Sequence, residues 1–185
     1  FLYKNDPLVW GARVWDKQCK ACHTDCKESP FKGSPCLEGY ASRTWLTKFM
    51  KDPAAKHFFG NTKIDSMDAY TGSDEKLAAM VEFLVAESGA TASAPLVESG
   101  KVAFDDEGCG SCHSLDGVGG GDAPDLKGWA SPAWLAAFIR TPGAKRFYGD
   151  ANEMDDFPHE KLSKDELEVV IAYLRAQTDA QAKYP

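Results

Sequence analysis

The chain has 185 residues, 43% apolar and 11% aromatic, with 21 basic and 28 acidic side chains and a formal net charge of −7. That composition describes a folded protein of one ordinary domain or two small ones, and domains of about 90 residues have cores small enough to need a staple, metal or cofactor. The acidic balance argues against nucleic acid, which requires clustered Lys and Arg, and suits a partner with a basic docking face; no apolar run reaches the roughly 18 residues of a spanning helix.

In chain order, the first helical segment carries Gly11 and Trp15 and runs into Lys17–Cys36, which holds Cys19, Cys22, His23, Cys26 and Cys36. Ser42 is placed to cap a helix bearing Trp45, Leu46, Phe49 and Met50. A loop with Met67 follows, and Ser73 caps a helix whose Leu77, Met80, Val81 and Leu84 fall at i, i+3, i+4, i+7. The stretch AESGATASAP, Ala86–Pro95, is small and polar and reads as a linker, with the boundaries 1–88, 89–94 and 95–185. The second part repeats the first. Gly100 and Phe104 precede Cys109, Cys112 and His113; Ser131 and Pro132 open a helix with Trp134 and Phe138; Met154 lies in a loop; Ser163 and Glu166 form a capping box before Leu167, Val170, Ile171 and Leu174.

The repeat is close. Pro35, Leu37, Gly39, Trp45, Leu46 and Phe49 match Pro124, Leu126, Gly128, Trp134, Leu135 and Phe138 at a constant offset of 89. Phe58-Phe59-Gly60 matches Phe147-Tyr148-Gly149, and Met67 corresponds to Met154. Period-two alternation is nearly missing, so the expected class is all-α.

Four chemistries compete for the cysteines: a disulfide framework, a redox thiol pair, a zinc site, and covalent haem attachment through Cys-x-x-Cys-His. A thioredoxin-like motif would follow a strand, whereas these follow helical segments and occur twice. One zinc site would join two halves that read as self-sufficient copies. Attachment explains the adjoining His: the thiols add to the two vinyl groups of one porphyrin edge, and the next residue is held beneath the iron.

Each half resembles a class I cytochrome c domain, and the chain resembles a dihaem cytochrome c from about Pro7 to Gln177. The resemblance implies two haem c groups, on Cys19, Cys22 and on Cys109, Cys112, with His23 and His113 as proximal and Met67 and Met154 as distal ligands. It implies a first helix whose Gly and aromatic pack on the last, with Phe83 and Tyr173 as aromatic counterparts. It also implies that Pro35 and Pro124 lie in loops whose carbonyl accepts the histidine Nδ1–H. Tyr40, Trp45, Phe59, Trp129, Trp134 and Tyr148 are expected around the haems, with Tyr40 and Trp129 reaching propionates. Met50 and Met80 read as core, and His57 and His159 as surface residues. Asp68 and Asp155 stand where the family often has proline after the Met.

Cys26 and Cys36 have no cysteine counterparts, and a disulfide between them is expected to close the loop after His23. His/Met ligation leaves no vacant iron position, so the implied function is electron transfer between redox proteins, with no small-molecule substrate. The tandem arrangement and the Trp-Leu-x-x-Phe helix are similar to dihaem subunits of bacterial quinol–cytochrome c reductases, which suggests a membrane-bound respiratory complex. A soluble periplasmic shuttle and a dihaem peroxidase are the alternatives. The expected location is the periplasm, or the periplasmic face of the membrane if an anchor preceding Phe1-Leu2-Tyr3 has been removed.

Overall fold

The computed structural model describes residues 6–23, 34–64, 67–117, 123–177 and 179. The six α-helices among them are α1 (Pro7–Gln18), α2 (Arg43–Lys51), α3 (Asp74–Glu87), α4 (Ala94–Asp106), α5 (Pro132–Arg140) and α6 (Lys164–Arg175). Short 3-10 turns cover Cys109–Ser111 and Gly149–Ala151, and the described residues include no strand. None of these helices is long and apolar enough to cross a membrane.

Local sequence sets the helix starts. The Ser42 hydroxyl accepts from Trp45 N, Ser131 from Trp134 N, and Ser73 from Lys76 N. Ser163 and Glu166 form the reciprocal capping box, and Pro132 sits in the first turn of α5, where no amide hydrogen is needed. Asp6 caps α1 by accepting from Leu8 N at 2.8 Å. The stretch read as a linker is a short corner. α3 stops at Glu87 and α4 begins at Ala94, and Ser93 N donates to Glu82 Oε2 within that corner.

Packing then departs from the repeat. The expectation of self-sufficient copies requires α1 on α3 and α4 on α6. Instead α1 packs against α6 and α3 against α4, while α2 lies on α3 and α5 on α6. Both crossings have the same geometry. A Cβ on Gly11 would stand 2.2 Å from the Val169 carbonyl oxygen, and one on Gly100 would stand 2.1 Å from that of Ala79. Val169 and Ala79 are repeat equivalents, so each glycine permits the same backbone approach to opposite copies of the last helix. The aromatic partners cross as well. Trp15 meets Tyr173 at 6.1 Å and Phe104 meets Phe83 at 5.6 Å, so Phe83 partners the second half's first helix and not its own.

Two structural units result. One combines α1 and the first cysteine motif with α5 and α6; the other combines α2 and α3 with α4 and the second motif. A pseudo-two-fold axis relates them. Tyr40 touches its equivalent Trp129 at 5.5 Å, and Phe59 touches its equivalent Tyr148 at 5.9 Å. Residues that touch their own counterparts lie on the axis. The turns that present Tyr40 and Trp129 are alike, with Gly39, Ala41, Gly128 and Ala130 all at positive φ. Helix ends repeat the relation: Gly39 N donates to Gln177 Oε1 and Gly128 N to Glu87 Oε2.

Candidate functional site

Both cysteine motifs follow directly from helix ends. Cys19 and Cys109 are half-buried while Cys22 and Cys112 are exposed, and none of the four is in a disulfide. Burial, with repulsion from Cys22 adding to it, pushes the Cys19 thiol up to about 11, and burial raises Cys109 in the same direction. A redox thiol pair works by the opposite shift, toward an available thiolate. Among the described residues no cluster of three or more His, Cys, Asp or Glu is arranged to hold a metal ion.

Each histidine is oriented by its loop. His23 Nδ1–H donates to the Pro35 carbonyl at 2.7 Å, and His113 Nδ1–H to the Pro124 carbonyl at 2.8 Å. A carbonyl only accepts, so Nδ1 carries the proton and Nε2 keeps its lone pair. Burial lowers both imidazole pKa values, against a smaller opposing effect of these hydrogen bonds, which favours the neutral ring. The Pro loops are fixed in turn: Trp45 Nε1 donates to the Cys36 carbonyl and Trp134 Nε1 to that of Asp125.

A cavity of about 760 Å³ opens beside the second motif. Cys109, Cys112 and His113 line it together with Met67, and its walls include Tyr40, Trp45, Phe59, Pro124, Trp129 and Tyr148. Its size falls in the range of a small-molecule or cofactor site. The remaining predicted residues, Cys19, Cys22, His23, Pro35, Trp134 and Met154, do not line it; His23 lies beside Trp15, which packs on Tyr173 of α6, and Trp134 is on α5, which also packs on α6. Apolar walls, the Cys109 and Cys112 thiols, the His113 imidazole with its Nε2 lone pair and the Met67 thioether suit a haem, which the thiols would attach and whose iron the nitrogen and sulfur would hold.

Met50 and Met80 are buried core side chains, as helical methionines usually are, and also reach this cavity. His159 is exposed beside Arg140. His57 is half-buried with its ring 4.4 Å from Phe58, so it is not the plain surface residue the sequence suggested. Tyr40 and Trp129 spend their rings on each other at the axis. Burial holds both the Tyr40 and Tyr148 phenols in the neutral form, Tyr148 at about 12.

Cys36 is completely buried and is not among the free thiols; Cys26 lies outside the described residues. Sequence reasoning gave no role to Asp125, the repeat equivalent of Cys36. It too is completely buried, and its carboxylate accepts from Ser114 Oγ, Gly117 N and Lys127 N at 2.7–2.8 Å. An acidic residue preceded by Gly-rich sequence offered no pattern that would have marked it.

Comparison with known families assigns the two halves separately. Residues 8–84 match the family described as cytochrome c oxidase, cbb3-type, subunit III, and residues 97–178 match the family described as cytochrome c. No curated protein and no solved structure matches the chain significantly. The chain therefore carries two cytochrome c-type domains in series, all-α throughout the described residues.

Proposed function

We propose that this chain is a two-haem electron relay in which Cys19, Cys22 and Cys109, Cys112 carry the haems, His23 and His113 are the proximal ligands, and Met67 and Met154 the distal ones. Two cytochrome c domains imply electron transfer and two covalently bound haem c groups. The observation that carries the residue assignment is the pair of histidines, each fixed by a proline carbonyl through Nδ1 with Nε2 left to bind iron. When bound, haem iron supplies one-electron chemistry. The chain's own residues hold the histidine orientation, exclude water with Trp45, Phe59, Trp129 and Tyr148, and fill the distal position. The aromatic residues at the axis, Tyr40, Trp129, Phe59 and Tyr148, line one haem site directly and by pseudo-symmetry border the other, which suits electron passage between the two.

The relay serves redox proteins, and the net charge of −7 suits partners with basic docking faces. We place it in a periplasmic respiratory complex. The match of residues 8–84 to a cbb3-type oxidase subunit favours an oxidase, while the tandem repeat favours the quinol–cytochrome c reductase assignment. Cys36 and Cys26 form a disulfide in this reading, consistent with an oxidising compartment.

Optical titration of the purified holoprotein tests the function. Two haems by mass, a reducible c-type spectrum and no rapid binding of cyanide or carbon monoxide are the expected results. Rapid ligand binding at one haem would replace the relay by a peroxidase-type enzyme. Fractionation of cells tests the location.

A further inference from the structure

We infer that the axial ligands are exchanged between the halves: Met67 serves the iron held by Cys109, Cys112 and His113, and Met154 serves the iron held by Cys19, Cys22 and His23. The inference rests on the His/Met reading above and adds which Met belongs to which haem. Sequence order alone would pair each motif with the Met that follows it.

Three independent observations support the exchange. First, Met67 shares a cavity with Cys109, Cys112 and His113. The segment after it, Tyr70–Gly72, abuts Glu107, since a Cβ on Gly72 would stand 3.0 Å from Glu107 Oε2. The first motif shows the mirrored approach: at the end of α1, Gln18 Nε2 donates to the Lys161 carbonyl, in the segment that follows Met154.

Second, the two Met loops are anchored alike on the exchanged helices. Tyr70 N donates to the Met50 carbonyl of α2, and Phe157 N to the Ile139 carbonyl of α5. α2 packs on α3, which carries α4, and α5 packs on α6, which carries α1; Trp45 of α2 and Trp134 of α5 also reach across to the proline loops of the first and second motif.

Third, charge agrees with the crossed pairing. Lys76 of α3 forms an ion pair with Glu107 beside the second motif. At the equivalent positions of the other unit, the Ser163 hydrogen bonds dominate at Glu166 of α6, and Lys17 beside the first motif adds a weaker attraction without forming an ion pair within 4 Å. Lys76 corresponds to Glu166 and Lys17 to Glu107. Uncrossed halves would set Lys76 against Lys17 and Glu166 against Glu107, two like-charge contacts where the crossed form has two attractive ones.

Methyl NMR of ferrous holoprotein labelled with 13C at methionine ε-methyls decides the pairing. Iron-bound methionine methyls are displaced far upfield by the haem ring current. The Met67 signal, assigned through backbone connectivities and checked by its loss in Met67→Leu, is expected to show cross-relaxation with the haem whose thioether bridges lead to Cys109 and Cys112. Cross-relaxation with the haem on Cys19 and Cys22 overturns the exchange but keeps His/Met ligation. An unshifted Met67 methyl overturns the ligation itself, and with it the exchange.

Discussion

Tyr40 and Trp129 hold the same place in the two halves of the sequence, yet in the folded chain they hold each other, with ring centroids 5.5 Å apart. Trp45 stands 6.3 Å from the same Trp129 ring. This is the seam between the two proposed haem sites, and it is built from residues that occupy equivalent positions in the two halves.

Because Trp129 is shared, Trp129→Ala is expected to cost about 3–5 kcal/mol and to perturb the spectra of both haems. Chemical denaturation followed at each haem's absorption measures this. Independent halves would confine the spectral change to one.

Glycine at the helix crossings leaves no room for a side chain. Gly100→Val would drive its Cβ into the Ala79 carbonyl and the Phe83 side chain, and Gly11→Val would meet Val169 and Tyr173. Each is expected to cost about 3 kcal/mol, and Gly11→Val should loosen α6, not α3. Hydrogen exchange by mass spectrometry locates the loosened helix.

Lys76→Glu should lower the melting temperature by turning its ion pair with Glu107 into repulsion. Glu107→Lys added to it should restore stability, and the double-mutant cycle reports the coupling. A cycle that sums to zero coupling would remove charge as a selector of the pairing.

Glu82 is buried where α2, α3 and the corner meet. It pairs with Arg43 and accepts from Ser93 N at 2.8 Å. The Arg43 hydrogen bond lowers the Glu82 pKa below its ordinary 4.5. Between that lowered value and 4.5 the unfolded chain binds the extra proton, so stability falls as the pH drops through this window and is fully present above it. Thermal melts should show this acid-side loss, and Glu82→Gln should flatten it, at a constant cost of about 1–2 kcal/mol for the weakened contact to Arg43.

Asp125 offers a comparison with the proposed disulfide. Its carboxylate ties Ser114, Gly117 and Lys127 together, clamping the loop between His113 and Pro124. Asp125→Ala is expected to cost about 2–3 kcal/mol. Cys36→Ser should have an effect of similar size on the loop after His23, and reduction should reproduce it. Intact mass before and after reduction checks the disulfide directly.

The helices and their limits were legible because they depend on neighbours in sequence. Ser42, Ser73, Ser131 and Ser163 cap helices at the expected places, and the prolines reach the histidines as the family resemblance implied. The role of Asp125 was not legible, because its donors become partners only once the loop has turned back on itself.

Sequence by itself determined an all-α chain with two copies of one Cys-x-x-Cys-His pattern, and the family resemblance added a glycine-bearing first helix packed against a last one. It could not determine which last helix, because Ala79 with Phe83 and Val169 with Tyr173 present the same surface to Gly11 or Gly100. The tertiary structure decided it through connectivity and charge. The corner between Glu87 and Ala94 is short enough to seat α4 on α3 at little loop-closure cost, which leaves α1 and α6 for each other. Lys76, Glu107, Lys17 and Glu166 reinforce that choice, but their signs acquire meaning only when the positions that face one another are known.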